Sequence, residues 1–247
     1  MVLALLAVSS QATTFYVSPD GSDTAAGTSP ATAWRTLLSA STRSYSPGDS
    51  LLLERNSTFF DDPLIVSSRG LSIGAYGNAS LPRPTLQMGR AAASATTCAT
   101  FLDADRTEIR NLHVSGCSTG ISIVPPAGAN GTNVLIERLY FNDIRPPFAH
   151  YTPPNPAWAQ AIQLGGGHLN NLTVRNCFAV RLDVFFSSSA FVDGMTLSAN
   201  TVQQCSGNCY SLGSGVNLSM RDSVSTSPPL DTLCFPCQPS RAFGRRR

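Results

Sequence analysis

Between Asp105 and Cys209 one order of apolar and polar positions occurs four times. Anchored on Ile109, Ile136, Val174 and Leu197, it places Leu112, Leu139, Cys177 and Asn200 three residues later. Val114, Phe141, Ala179 and Val202 follow at five residues, and Cys117, Ile144, Leu182 and Cys205 at eight. Asn200 is the one polar residue among these sixteen positions, and Ala179 is only weakly apolar. The alternation is short, with Asn, Gly and Ser in the gaps, so it predicts strands broken by tight turns rather than helices. The anchors stand 27, 38 and 23 residues apart, which makes the unit a coil of about 23 residues with insertions at its bends. Self-similarity at that period predicts a solenoid, each coil burying its apolar side against its neighbours.

The chain ahead of the repeats supplies a beginning for such a stack. Phe15 to Val17 reads as a strand and Pro19 to Gly21 as a turn. Ser29 as N-cap with Pro30 behind it predicts a short helix, with Trp34, Leu37 and Leu38 on one face. An amphipathic helix there would close the open apolar end of the solenoid. We expect a cap over 13–48 and coils over 49–222. Residues 145–158 form an insertion whose prolines (146, 147, 153, 154 and 156) exclude regular structure, and Phe148, Tyr151 and Trp158 lie in it. After Met220 the pattern decays, and 223–247 reads as an irregular tail, consistent with a closing cap, a truncated end or a basic processing site at Arg245–Arg247.

The first residues, Met1 to Val8, are apolar and are followed by small ones up to Ala12. That predicts a signal peptide over 1–12, too short to span a bilayer. Asn56, Asn78, Asn130, Asn171 and Asn217 each begin an acceptor sequon for N-glycosylation, a second pointer to an extracellular protein. Charged residues are only 13% of the chain, and all 17 basic ones are Arg, so no lysine can serve as a base. The net charge of +2 comes from Arg241 and Arg245–Arg247, and no basic surface argues for nucleic acid. Seven cysteines leave at least one unpaired within the chain. Cys117 reads as a core residue; Cys205 with Cys209 and Cys234 with Cys237 are near enough in sequence for local bridges. No metal set is spelled out, and Asp103, Asp105 and Asp183 lack the spacing of a calcium site.

If the anchor files face inward, their neighbours face outward. One outward file holds His113, Tyr140, Phe178 and Thr201; another holds Arg110, Glu137, Arg175 and Ser198; a third holds Asn111, Arg138, Asn176 and Ala199. Stacking brings successive members to ~4.8 Å. Drawn on one face, these files put an ion ladder beside an aromatic strip. Sugar rings lie flat on aromatic faces while Arg and Asn donate to hydroxyls and carboxylates. Arg110, Arg138, Arg175, Asn176, Phe178 and Trp158 are therefore the expected substrate-binding residues, unless the aromatics simply pack beneath the 145–158 insertion. For lyase or epimerase chemistry, His113 would be the base, Tyr140 the acid and Arg110 or Arg175 the group that neutralises the sugar carboxylate, while Glu137 is the one sure carboxylate on this face for hydrolysis.

The run Tyr16 to Asp23, Gly27-Thr28, Trp34 to Leu37, Pro47-Gly48-Asp49, and Ile73 to Gly77 with Arg83-Pro84 resembles the N-terminal region of secreted right-handed parallel β-helix (pectin-lyase-like) proteins. These include polysaccharide lyases and alginate epimerases. The resemblance extends over roughly residues 13 to 222. It implies an all-β right-handed parallel β-helix and a polysaccharide or glycan partner. It does not carry over a catalytic apparatus. The Lys base of some such lyases, the Asp-Pro-His-Asp motif of alginate epimerases and the paired-Asp, His-Gly pattern of polygalacturonases are absent. The expected function is accordingly an extracellular β-helix that binds or displays itself to carbohydrate. The alternative is a lyase or epimerase acting on an acidic glycan. No cofactor and no transmembrane segment are expected.

Overall fold

The computed structural model describes residues 11–89, 96–145, 159–205 and 209–226. Residues 1–10 of the expected signal peptide, the insertion from 146 to 158 with Trp158, and the residues beyond 226 lie outside them. The chain is a right-handed parallel β-helix with three faces. Face I carries β1 (Thr14–Val17), β2 (Ser50–Glu54), β5 (Ser72–Tyr76), β8 (Glu108–Arg110), β11 (Asn130–Glu137), β14 (His168–Arg175) and the second half of β16 (Val184–Ser198). Face II carries β3 (Thr58–Phe60), β6 (Thr85–Gln87), β9 (His113–Ser115), β12 (Tyr140–Ile144), β15 (Phe178–Leu182), β17 (Thr201–Cys205) and β19 (Val224–Thr226). Face III carries β4 (Leu64–Ser67), β7 (Thr97–Leu102), β10 (Thr119–Ile123), β13 (Gln160–Leu164) and the first half of β16. β18 (Tyr210–Arg221) follows β16 across both halves, so faces III and I form one curled sheet.

The inward files stack as the spacing predicts. Ile109 pairs with Ile136, Ile136 with Val174 and Val174 with Leu197. The file continues to Ile73 and Leu51 on one side and Met220 on the other. Val114, Phe141, Ala179 and Val202 form a second buried file on face II. Each fully buried Leu, Ile, Val or Phe contributes roughly 1.5–3 kcal/mol, and stacking repeats that contribution in every coil. Asn200 breaks the apolar rule for a local reason. Fully buried, it accepts the Cys177 N–H at 3.0 Å and donates to the Val174 carbonyl at 2.9 Å, satisfying backbone groups that the bend would otherwise orphan.

That bend, from face I to face II, has a backbone signature. Asn111, Arg138, Asn176 and Ala199 all have φ between 52° and 58°. The left-handed region suits Asn better than most residues, which accounts for the amides recurring there. At the N-terminal end, the expected helix is two pieces. A 3-10 turn spans Pro30–Thr32, and α1 (Leu37–Ser41) starts afresh at Thr36, whose side chain accepts the Ser39 N–H. Trp34 lies between the two and stacks on Phe15, with ring centroids 5.3 Å apart, while Leu38 is exposed rather than packed. Asp62 accepts the Leu37 and Leu38 N–H groups at 2.5 and 3.0 Å, docking α1 on the next coil.

Cys117 is more than a core residue. It forms a disulfide with Cys98 of β7, tying face III to the bend that precedes β10. Cys205 points inward, its thiol on the Asp183 carbonyl at 3.0 Å. Strand pairing runs past residue 222, because β19 pairs with β17. Among the described residues no helix is long and apolar enough to cross a membrane.

Candidate functional site

The aromatic strip forms on face II. His113 pairs with Tyr140 and Tyr140 with Phe178 in register. The His113 and Tyr140 rings stack with centroids 4.6 Å apart and planes 22° apart; Phe178 follows at 5.5 Å, tilted by 43°. Phe178 is 36% exposed, and His113 and Tyr140 are half-buried.

The ion ladder does not share that face. Arg110, Glu137 and Arg175 pair in register on face I. The left-handed residue at the bend turns the chain before His113, Tyr140 and Phe178 begin face II. The two files thus flank a corner instead of lying side by side. Glu137 is only 5% exposed and is enclosed by three guanidiniums: Arg175 Nε at 3.0 Å, Arg138 Nη2 at 3.3 Å and Arg110 Nε at 3.5 Å. Arg110 also reaches Glu108 at 2.9 Å. The Glu137 carboxylate therefore holds the corner together and faces no open cleft. Arg138, Arg175 and Asn176 keep exposed side chains around it.

His113 is similarly engaged. Its Nδ1 lies 3.0 Å from the Thr85 hydroxyl and its Nε2 2.6 Å from Asn142 Oδ1. The Asn142 amide nitrogen donates to Asp143 at 3.0 Å, so its oxygen faces the imidazole. Nε2 then carries the proton and Nδ1 accepts from Thr85. Asp143 is held in turn by Arg181 through contacts of 2.8 and 2.9 Å. Burial, followed by the nearby Arg83, lowers the His113 pKa below its usual value against the opposing bond from Asn142. Burial thus favours the neutral imidazole, but neither nitrogen is open to a substrate in this arrangement.

Face III presents a surface the anchor spacing does not reveal. A depression of about 400 Å³ is lined by Gln160, Gln163, Ser187, Ser188 and Ser211 above Leu164 and Val184. None of these side chains titrates. The sequence signals were the run Ser187–Ser189 and the paired Gln160 and Gln163. Elsewhere, Asp105 accepts the Thr132 backbone N–H and hydroxyl at 3.0 and 2.7 Å and pairs with Arg106 at 3.2 Å, so its oxygens are committed. All five sequon asparagines are exposed.

No protein-family model matches the chain, and no curated protein matches it. Solved structures do. A GH136 lacto-N-biosidase from Eubacterium ramulus superposes with a TM-score of 0.59 at 16% identity, over 86% of this chain and 51% of that one. Its selenomethionine derivative gives 0.58 over 87% and 51%. A rhamnogalacturonan lyase superposes with a TM-score of 0.54 at 14% identity, over 87% of this chain and 66% of that one. This chain thus spans about half the length of the first of these. At such identities the likeness is one of fold: this chain has the parallel β-helix architecture of carbohydrate-active enzymes.

Proposed function

We propose that this protein is an extracellular β-helix that binds glycan through the strip Tyr140–Phe178 and the corner residues Arg138, Arg175 and Asn176 beside it. One observation carries the reading. Three rings stack in register on an outward face while the two groups best suited to proton transfer, His113 and Glu137, are bonded to their own neighbours. Aromatic faces take the apolar faces of sugar rings, and the guanidiniums and amides supply donors to hydroxyls and carboxylates. A lyase or epimerase would need a free base near the acidic carbon of the sugar, and His113 would have to leave Thr85 or Asn142 to provide it. The extracellular assignment is supported by the Cys98–Cys117 disulfide and the exposed sequons.

The test measures binding and turnover together. Alginate, pectin and glycosaminoglycan oligosaccharides are titrated calorimetrically into the protein, and the same mixtures are followed for unsaturated products and new reducing ends. The expected result is saturable binding without product, weakened about tenfold by Tyr140→Ala. Turnover abolished by His113→Ala would overturn the reading in favour of a lyase. Binding untouched by a Tyr140→Ala, Phe178→Ala double variant would remove the strip from it.

A further inference from the structure

Hydrogen bonding identifies a corner residue that spacing conceals. The His113 N–H donates to the Pro84 carbonyl at 2.9 Å, as Tyr140 N–H does to Leu112 and Phe178 N–H to Leu139. Pro84 therefore takes the place of Leu112 and Leu139 in its own coil, and it is buried as they are. Arg83, just before it, stands where Asn111 and Arg138 do in the hydrogen-bond order, though without their left-handed backbone. One coil earlier Thr85 N–H donates to Ser57 at 2.9 Å, which puts Asn56 in the same file. The corner thus reads Asn56, Arg83, Asn111, Arg138, Asn176: amide and guanidinium alternate, spaced by about 4.8 Å per coil.

Arg83 differs from the other cations of this corner. Arg110, Arg138 and Arg175 converge on Glu137. Arg83 is half-buried, and among the described residues no carboxylate lies within ion-pair distance of it. The Leu81 carbonyl, in the same loop, accepts from Arg55 Nη1 at 3.0 Å, which brings a second guanidinium alongside. Burial, then Arg55, and more weakly Arg138, lower the Arg83 pKa. The nearby Cys177 thiol is pushed up to about 12, chiefly by burial, and so stays neutral and offers no counter-charge. Arg keeps its proton in any protein setting. A partly desolvated cation among other cations is costly without an anion, and none of the described residues supplies one.

We propose that Arg83, with Asn111 beside it, binds the oxyanion of an acidic glycan, a carboxylate or a sulfate, whose ring rests on the adjoining His113–Tyr140 stack. This rests on the glycan-binding reading above and narrows it to anionic sugars. Arg83 supplies the charge, Asn111 the neutral donor, and the strip the apolar contact.

Polyuronate, sulfated and neutral oligosaccharides of equal length are titrated into wild type, Arg83→Gln and Arg43→Gln. Arg43 stacks on Trp34 in the N-terminal cap and controls for net charge. The expected result is that Arg83→Gln weakens one or both acidic ligands about tenfold and flattens their salt dependence. Neutral ligands and Arg43→Gln stay at wild-type values. The acidic ligand that responds, uronate or sulfate, identifies the oxyanion. Unchanged acidic affinity, or an equal loss for neutral sugars, overturns the proposal. A second arm needs no glycan: inorganic sulfate and acetate are titrated separately while the His113 imidazole resonance is followed. A saturable shift that Arg83→Gln abolishes supports the anion site even if no glycan binds, in which case the glycan reading alone fails. No saturable shift with either anion overturns the anion site even if glycans bind to the strip.

Discussion

The corner between faces I and II and the open surface of face III are built by the same coils, yet they carry opposite chemistry. At the corner the outward files hold guanidiniums, a carboxylate, amides and aromatic rings, and most of these grip one another. On face III the outward file is Thr100, Ser122, Gln163 and Ser187, without a charge. The difference separates two uses of outward side chains. Where they bond to each other, as Glu137 and His113 do, they stiffen the stack. Where they do not hydrogen-bond to one another, as with Phe178 and Arg83, they are the side chains we propose for a ligand.

The sharpest way to break this comparison is to neutralise the carboxylate at the corner. Glu137→Gln leaves three guanidiniums around a neutral amide, and we expect a loss of about 3 kcal/mol, the low end for a buried pair because the arginine heads are half exposed. Gln163→Ala on face III should stay within about 0.5 kcal/mol. Urea denaturation of both variants checks this, and equal losses would erase the distinction. Next comes Asn200→Ala, which orphans the Cys177 N–H and the Val174 carbonyl. About 2 kcal/mol is expected, read from the same curves. Ligand binding sharpens the contrast from the other side: Tyr140→Ala should weaken glycan about tenfold and Gln163→Ala should not.

The smallest effect is one of pH. The folded-state pKa of His113 is lowered, chiefly by burial, while the unfolded value is about 6.5. Between the lowered value and about 6.5 the unfolded chain binds a proton that the folded chain does not, so stability falls as pH drops through that window. His113→Gln should flatten this part of the stability profile. A profile identical to wild type would mean that the imidazole protonates freely in the fold.

What the sequence revealed follows the constancy of its spacings. Ile109 and Val114, Ile136 and Phe141, and Val174 and Ala179 keep one interval, so the inward files of faces I and II were legible. Face III was not, because the route to it varies. Ile121, Ile162 and Phe186 share one file, yet they follow their anchors Ile109, Ile136 and Val174 by 12, 26 and 12 residues. Insertions at the bends also hid Cys98 as the partner of Cys117, and hid Arg83, which follows Ile73 by ten residues where Asn111 follows Ile109 by two. The assignment of the ladder and the strip to one face failed at the left-handed residue between them. Asn111 and Asn176 were the available hint, since Asn is the side chain that tolerates that conformation best.

The most direct test of the account is amide chemical-shift mapping of an acidic oligosaccharide on isotope-labelled protein, with the sugar recovered afterwards. The account predicts saturable shifts centred on Asn111, Tyr140 and Phe178, and sugar returned intact. Shifts confined to Gln163, Ser187 and Ser211, or a cleaved sugar, would contradict it.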